Sequence, residues 1–348
     1  MQEASSILHS AAGVNDATTA TRECSTSAAE TGDRDRAPKV APRIIRSERF
    51  FHLTMTGIAL IFLIGFLIGL RLAKMTAPPL QFVPLVLLVL ALVGGAAFYR
   101  WRGLEKPVNL IMMALWGVVF SNLHVMPMFI AARQKVEFCD PLFARLDASL
   151  GMEVPDVIRV VSQYPWLRSV LRISYDTLIF MVMLAVMVPP MCGKMQAAKQ
   201  YAIAGLLAAM ICIPIFAVLQ AVGPWVHYGY VPDIDQENYM RTFSALKTQD
   251  WYVFDISYRD GLICFPSFHT ILAILAGIAL WSIPYLRWPA AVMATLIVIS
   301  TVTTGTHYVI DVVAGIGVAA VAFAGARGYT LLESKLAPQP DVKATVNS

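Results

Sequence analysis

Phe50-Phe-His-Leu-Thr-Met-Thr-Gly-Ile-Ala-Leu-Ile-Phe-Leu-Ile-Gly-Phe-Leu-Ile-Gly-Leu70 runs for 21 residues without Asp, Glu, Lys or Arg. At about 1.5 Å of rise per residue, a helix of that length matches the roughly 30 Å hydrocarbon core of a bilayer. Working outward from this first span at about 50–71, apolar stretches recur at about 79–99, 108–130, 173–191, 200–221, 266–283, 288–305 and 307–326, giving eight expected spans. The last two are the hardest to separate: Gly305 among Thr303, Thr304 and Thr306 marks the break, and one bent hairpin would also fit. The expected fold is all-α, a polytopic transmembrane helical bundle of about eight spans.

Composition agrees. Of 348 residues, 57% are hydrophobic and 14% charged, against the roughly 25% charged of soluble domains, which excludes a soluble core. The net charge is only +4, and the basic residues lie in short clusters between apolar runs, which argues against a nucleic-acid partner. Five cysteines, at 24, 139, 192, 212 and 264, show neither CxxC nor Cys/His ligand spacing, so neither a structural metal nor a disulfide framework is indicated.

Residues 1–42 are rich in Ala, Ser, Thr and charge without apolar periodicity, and read as a disordered tail. It is no signal peptide, because the first apolar run begins near Phe50 and is long enough to span. Its acidic residues speak against an organellar transit peptide. Lys and Arg set the orientation. Arg43, Arg46 and Arg49 precede the first span, Arg100, Arg102 and Lys106 follow the second, Lys194 and Lys199 follow the fourth, Arg287 follows the sixth, and Arg327 and Lys335 follow the eighth. Sixteen of the 27 basic residues then lie inside, with both termini cytoplasmic. The setting expected is a multi-pass protein of the cell (inner) membrane.

Two long segments fall outside. Residues 138–172 carry Leu142, Phe143, Leu146 and Leu150, then Val157, Val160, Val161 and Val170, at helical spacing with interleaved arginines. Helices lying in the interface and ordinary amphipathic extramembrane helices both fit. Residues 222–263 hold seven Trp and Tyr residues beside Asp233, Asp235, Glu237 and Asp250, which suits either interfacial anchoring or a cover over a substrate entrance. Cys139 and Cys264 fall on this side, where they could form a disulfide or remain buried thiols.

The chemistry concentrates near the C-terminal spans. In Cys264-Phe-Pro-Ser-Phe-His-Thr270, Pro266 and Ser267 are helix-opening residues, so His269 stands at a helix N-terminus, where N–H groups and the dipole receive anions such as phosphate. Ser267 would add a hydroxyl donor. In Thr306-His-Tyr-Val-Ile-Asp311, the i to i+4 spacing places Asp311 on the face of His307. Asp311 is the only charged residue between His307 and Arg327, and a carboxylate deep in a bilayer costs about 2.5–3.5 kcal/mol on insertion scales. The expected topology brings both histidines to extracytoplasmic span ends. One imidazole can attack phosphorus while the other protonates the leaving oxygen, and a carboxylate on the attacker's Nδ1 side leaves Nε2 free. His307 with Asp311 fits the attacker and His269 the acid. His124 and His227 read as satisfied structural groups, and His9 and His52 as solvent or interface residues. Axial haem ligation by the same pair would explain neither Asp311 nor Pro266-Ser267.

At these residues the chain resembles the type 2 phosphatidic acid phosphatase superfamily, whose second and third signatures are P-S-G-H and S-R-x5-H-x3-D. Pro266-Ser267-Phe268-His269 matches the first with Phe for Gly, and Ser300-Thr301-x5-His307-x3-Asp311 matches the other with Thr for Arg. The usual first signature, K-x6-R-P, is absent. That pattern is most similar to the subgroup of fungal inositol phosphorylceramide synthase and, more distantly, sphingomyelin synthase.

The resemblance implies a metal-independent, cofactor-free lipid phosphatase or phosphotransferase. It implies a covalent phosphohistidine on His307, His269 as acid, Asp311 in support, and Ser267 and Phe268 at the phosphate. It also implies a six-helix catalytic core over 108–330, preceded by two accessory helices over 43–107 and followed by a cytoplasmic tail over 331–348. A cation should still balance the phosphate, with Arg259 the first candidate, ahead of Lys135 and Arg172; anchoring at the interface is the alternative for Arg259. The partners are then a phosphorylated membrane lipid, the bilayer, and water or an alcohol as acceptor. A non-catalytic lipid-phosphate binder or transporter on the same scaffold is the competing class.

Overall fold

The computed structural model describes residues 42–257 and 261–336, with side chains from Arg49 to Lys335. The expected tail, up to residue 41, and Arg259 lie outside the described residues. In chain order the helices are α1 (Pro42–Leu72), α2 (Val83–Trp101), α3 (Glu105–Leu123), α4 (Val125–Ala132), α5 (Asp140–Ser149), α6 (Val154–Ser162) and α7 (Pro165–Asp176). They continue with α8 (Leu178–Met191), α9 (Met195–Val218), α10 (Pro224–His227), α11 (Ile234–Thr248), α12 (Phe268–Trp281), α13 (Arg287–Thr303) and α14 (Val309–Leu336). Among the described residues, strands are confined to a parallel pair, β1 (Met75–Thr76) and β2 (Tyr252–Val253), which ties the α1–α2 connection to the segment after α11.

Every expected span is helical, and the lengths sort them. Among the described residues, Arg49–Leu72, Pro79–Trp101, Glu105–Ala132, Met195–Val218 and Val309–Lys335 are long and apolar enough to cross a membrane. The stretch expected at 173–191 instead straddles α7 and α8, which meet at a 47° bend. There Thr177 returns its hydroxyl to the Ser174 carbonyl at 2.7 Å. The stretches expected at 266–283 and 288–305 form helices of only 14 and 17 residues. Ser267 caps the first, and Pro284, which cannot continue a helix, closes its far side. α14 runs on to Leu336, so the stretch 331–336 of the expected tail is helical, and 337–348 lie outside the described residues.

Inside the bundle, α12 packs against α8, α9, α13 and α14. Small residues let the backbones approach, as expected where lipid supplies no hydrophobic drive between helices. A Cβ on Gly277 would stand 3.2 Å from Ala294 Cβ. α2, by contrast, turns almost all of its apolar surface outward, where lipid would cover it. At the end of α14 away from His307, Lys199 on α9 bonds Glu333 at 2.9 Å with both side chains buried. His52, expected at an interface, is half-buried and accepts the Trp116 indole N–H at 2.9 Å. His124 is satisfied through the Phe120 carbonyl at 2.9 Å, as expected, whereas His227 is exposed.

Candidate active site

His307 lies in the tight turn between α13 and α14, where Gly305 takes φ +74°, a left-handed conformation suited to glycine. Its backbone N–H donates to the Thr301 carbonyl at 3.1 Å, and Thr306 Oγ1 donates to the same carbonyl at 2.9 Å. Thr301, where the resembled signature has Arg, is fully buried and sends its hydroxyl to the Val298 carbonyl. It brings no charge to the site.

The His307 ring is fixed on its Nδ1 side. Nδ1 lies 2.9 Å from the Cys264 carbonyl oxygen and 3.3 Å from Asp311 Oδ2. Both neighbours can only accept there, so Nδ1 carries the proton and Nε2 is left with its lone pair. Asp311 is fully buried, and its Oδ2 also accepts the Tyr308 N–H at 2.8 Å and the Cys264 thiol at 3.3 Å. Its Oδ1 has no hydrogen-bond partner among the described residues.

His269 approaches from the first turn of α12. Its ring centroid is 5.6 Å from that of His307, with the planes at 63°. On another side it stacks on Tyr175 of α7, at 4.8 Å and 18°, and the Tyr175 hydroxyl faces Thr306. Ser267, also fully buried, caps α12 by accepting from Thr270 N–H at 3.3 Å and Thr270 Oγ1 at 3.1 Å. Its own N–H donates to the Asp311 carbonyl at 3.0 Å, which joins the two motifs directly. The Phe268 ring stacks on His124 at 5.8 Å, so the part of Phe268 left for a ligand is its backbone.

The three candidate cations behave differently from one another. Arg259 lies outside the described residues. Arg172 is already engaged, with Asp233 at 2.5 Å, Asp235 at 3.3 Å and Asp176 at 3.5 Å. Lys135 is exposed, near Asp250. Cys139 and Cys264 are free thiols, the second buried beside Asp311.

Donor atoms of Cys264, His307 and Asp311 all lie within 4.8 Å of one another. His307 Nδ1, Asp311 Oδ2 and the Cys264 thiol are already joined by the bonds just described, and the set is one ligand short of the four of a closed tetrahedral centre.

Several neighbours of the site were not singled out in the sequence. Asp140 and Asp147 of α5 are both buried, and both contact the turn that carries His307. A signal existed: Asp140, Phe143 and Asp147 are the buried residues of an otherwise half-exposed amphipathic helix, which puts two acids on its inward stripe. The aromatic segment after α9 does lie against the His307 turn. Trp225, buried, donates its backbone N–H to the Gly305 carbonyl at 3.1 Å, and a Cβ on Gly223 would meet the Thr306 carbonyl at 3.0 Å.

The model of the PAP2 superfamily matches residues 142–325, more than half of the chain and inclusive of both motifs and of α7. No curated protein and no solved structure matches the chain.

Proposed function

The chain belongs to the PAP2 superfamily, and from that premise we propose that His307 is the nucleophile, His269 the general acid and Asp311 the support of a phosphohistidine mechanism acting on a lipid phosphate. Membership itself carries a lipid phosphatase or phosphotransferase type of activity, and the long apolar helices fit a substrate presented by a bilayer. The observation that supports the finer reading is the paired ring geometry: two imidazoles 5.6 Å apart, one with Nδ1 occupied and Nε2 bare.

In this reading the His307 Nε2 lone pair forms a bond to phosphorus, the bond from phosphorus to the leaving oxygen breaks, and His269 supplies that oxygen with a proton. Asp311 and the Cys264 carbonyl hold the Nδ1 proton and stabilise the cationic ring of the phosphohistidine. His269, now a base, takes a proton from water or an alcohol, whose oxygen attacks phosphorus and releases Nε2. The N-terminus of α12 receives the phosphoryl oxygens, with Ser267 and the Phe268 backbone at its first turn. Arg259 is the cation proposed to balance the phosphate, since Arg172 is neutralised by its carboxylates. No metal takes part in these steps.

The acceptor decides between hydrolysis and head-group transfer. Thr301 and Phe268, which depart from the arginine and glycine of the superfamily signatures, make the pattern more similar to the inositol phosphorylceramide synthase-like subgroup, whose members transfer a head group, and water and an alcohol are both kept as acceptors. The orientation proposed is the site at the extracytoplasmic face of the inner membrane, with both termini cytoplasmic.

The test is His307→Ala in the full chain. Turnover should fall to background while the protein stays folded in the membrane, and undiminished turnover rejects the mechanism. Trapping with a radiolabelled lipid phosphate should label wild-type protein on histidine, which a pure binder or transporter cannot do. Products from a panel of lipid phosphates, with and without diacylglycerol, ceramide or inositol, identify the acceptor.

A further inference from the structure

The first N–H groups of a helix have no partners within it. At the start of α14 they are taken by a residue far away in sequence. Asp147 Oδ2 accepts the Val309 N–H and Oδ1 the Ile310 N–H, each at 2.8 Å, and the Asp147 side chain is fully buried. Two turns earlier on α5, Asp140 Oδ1 accepts the Tyr308 hydroxyl at 3.0 Å and the Gly223 N–H at 2.8 Å, and its Oδ2 accepts the Val222 N–H at 3.0 Å. Tyr308, Val309 and Ile310, the three residues directly after His307, are thus each bonded to a carboxylate of α5.

Neither carboxylate is ion-paired among the described residues. Burying two unpaired charges costs free energy that N–H donors and the positive end of α14 must offset. Capping alone does not demand this, because Ser, Thr or Asn caps a helix as well. What a carboxylate adds is two equivalent acceptors in one rigid plane, which clamp two successive N–H groups and so set the rotation of the turn. Burial pushes the Asp147 carboxyl up, the Val309 and Ile310 N–H groups oppose that, and the charge of Asp311 adds to it. The brace and the His307 partner therefore sense each other electrostatically.

We propose that Asp147 and Asp140 are positioning residues for His307, so that α5, outside the long apolar helices, sets the line along which Nε2 faces the phosphate. This inference rests on the reading of His307 as nucleophile. A displacement of about 1 Å in an attacking group can cost about a hundredfold in rate without loss of substrate binding.

The test compares wild type with Asp147→Asn, Asp140→Asn and Tyr308→Phe in the full chain in detergent, with Glu153→Gln, an exposed change in the same segment, as control. Two readouts are taken. In steady-state phosphate release, Asp147→Asn should lower kcat about 10- to 100-fold with KM within about threefold. In the 15N spectrum of histidine-labelled protein, assigned with His307→Gln, wild-type His307 should show a protonated Nδ1 and bare Nε2. Asp147→Asn should mix the two tautomers.

A variant that merely melts earlier, with kcat per folded molecule and the His307 signals unchanged, overturns the proposal. If Asp147→Asn does not fold, Tyr308→Phe, which removes only the hydroxyl bonded to Asp140, carries the same two readouts. An inactive wild type would count against the proposed function, while the 15N comparison, which needs no substrate, would still decide the positioning role.

Discussion

Gly315 of α14 meets Ser267 backbone to backbone: a Cβ on Gly315 would stand 2.9 Å from the Ser267 carbonyl oxygen and 3.2 Å from Thr270 Cβ. This is one turn beyond Asp311, so the contact fixes how near the His307 helix lies to the α12 cap. Gly315→Ala introduces a good helix former but forces the two helices apart. Overpacking of this kind costs about 1–3 kcal/mol. We expect a lowered melting temperature together with at least a tenfold loss of turnover, read as phosphate release per folded protein.

Tyr175 offers a finer probe of the second histidine. Its ring stacks on His269 while its hydroxyl faces Thr306 in the His307 turn, so it lies beside both halves of the site. Stacked rings contribute about 0.5–1.5 kcal/mol beyond burial, and a neutral hydrogen bond a similar amount. Tyr175→Phe should therefore lose about threefold in kcat and Tyr175→Ala about tenfold or more. Equal kcat for all three proteins would remove Tyr175 from the site.

The buried pair Lys199–Glu333 lies far along α14 from His307 and ties α9 to α14. Removing one partner takes a buried ion pair from the other, so Lys199→Met alone should destabilise by up to about 3–5 kcal/mol, whereas Lys199→Met with Glu333→Leu should return part of that. Thermal unfolding in detergent measures both. A double variant no more stable than the single one would contradict the pairing.

The clasp between α7 and α11 predicts a pH response. Burial pushes the Asp233 carboxyl up, but the Gln236 N–H and the Arg172 guanidinium outweigh it and hold the group below its usual 3.8. The folded state thus binds the proton less readily than the unfolded chain. Stability from Asp233 is complete above the unfolded value and is lost as pH falls through the lower, folded one. Melting temperature should be insensitive to Asp233→Asn at the acid end of a titration and most sensitive near neutrality. The reverse order would refute the assignment.

Much of the site was legible along the chain because its strongest couplings are local. His307 and Asp311 are one helical turn apart, and Pro266 with Ser267 opens α12 as expected. The residues that escaped notice reach the site across long separations. Tyr308 and Asp140 are 168 positions apart, and Ile310 and Asp147 163. Within α5 the acids alternate with arginine and apolar residues and resemble an ordinary surface helix, apart from their place on the inward stripe. Span lengths were overread at α12 and α13, since hydropathy continues past the caps and prolines that end those helices.

Sequence by itself determined that this chain is helical and built for a bilayer, and which histidines stand at helix ends, because apolar run length, capping residues and i, i+4 spacing act over a few neighbouring residues. Only the tertiary structure decided that those two helix ends meet, that Arg172 is spent on carboxylates, and that α5 reaches over to clamp the His307 turn. Those facts depend on which backbones can approach closely and which buried polar groups must then find one another, a condition that couples residues without regard to their order in the chain.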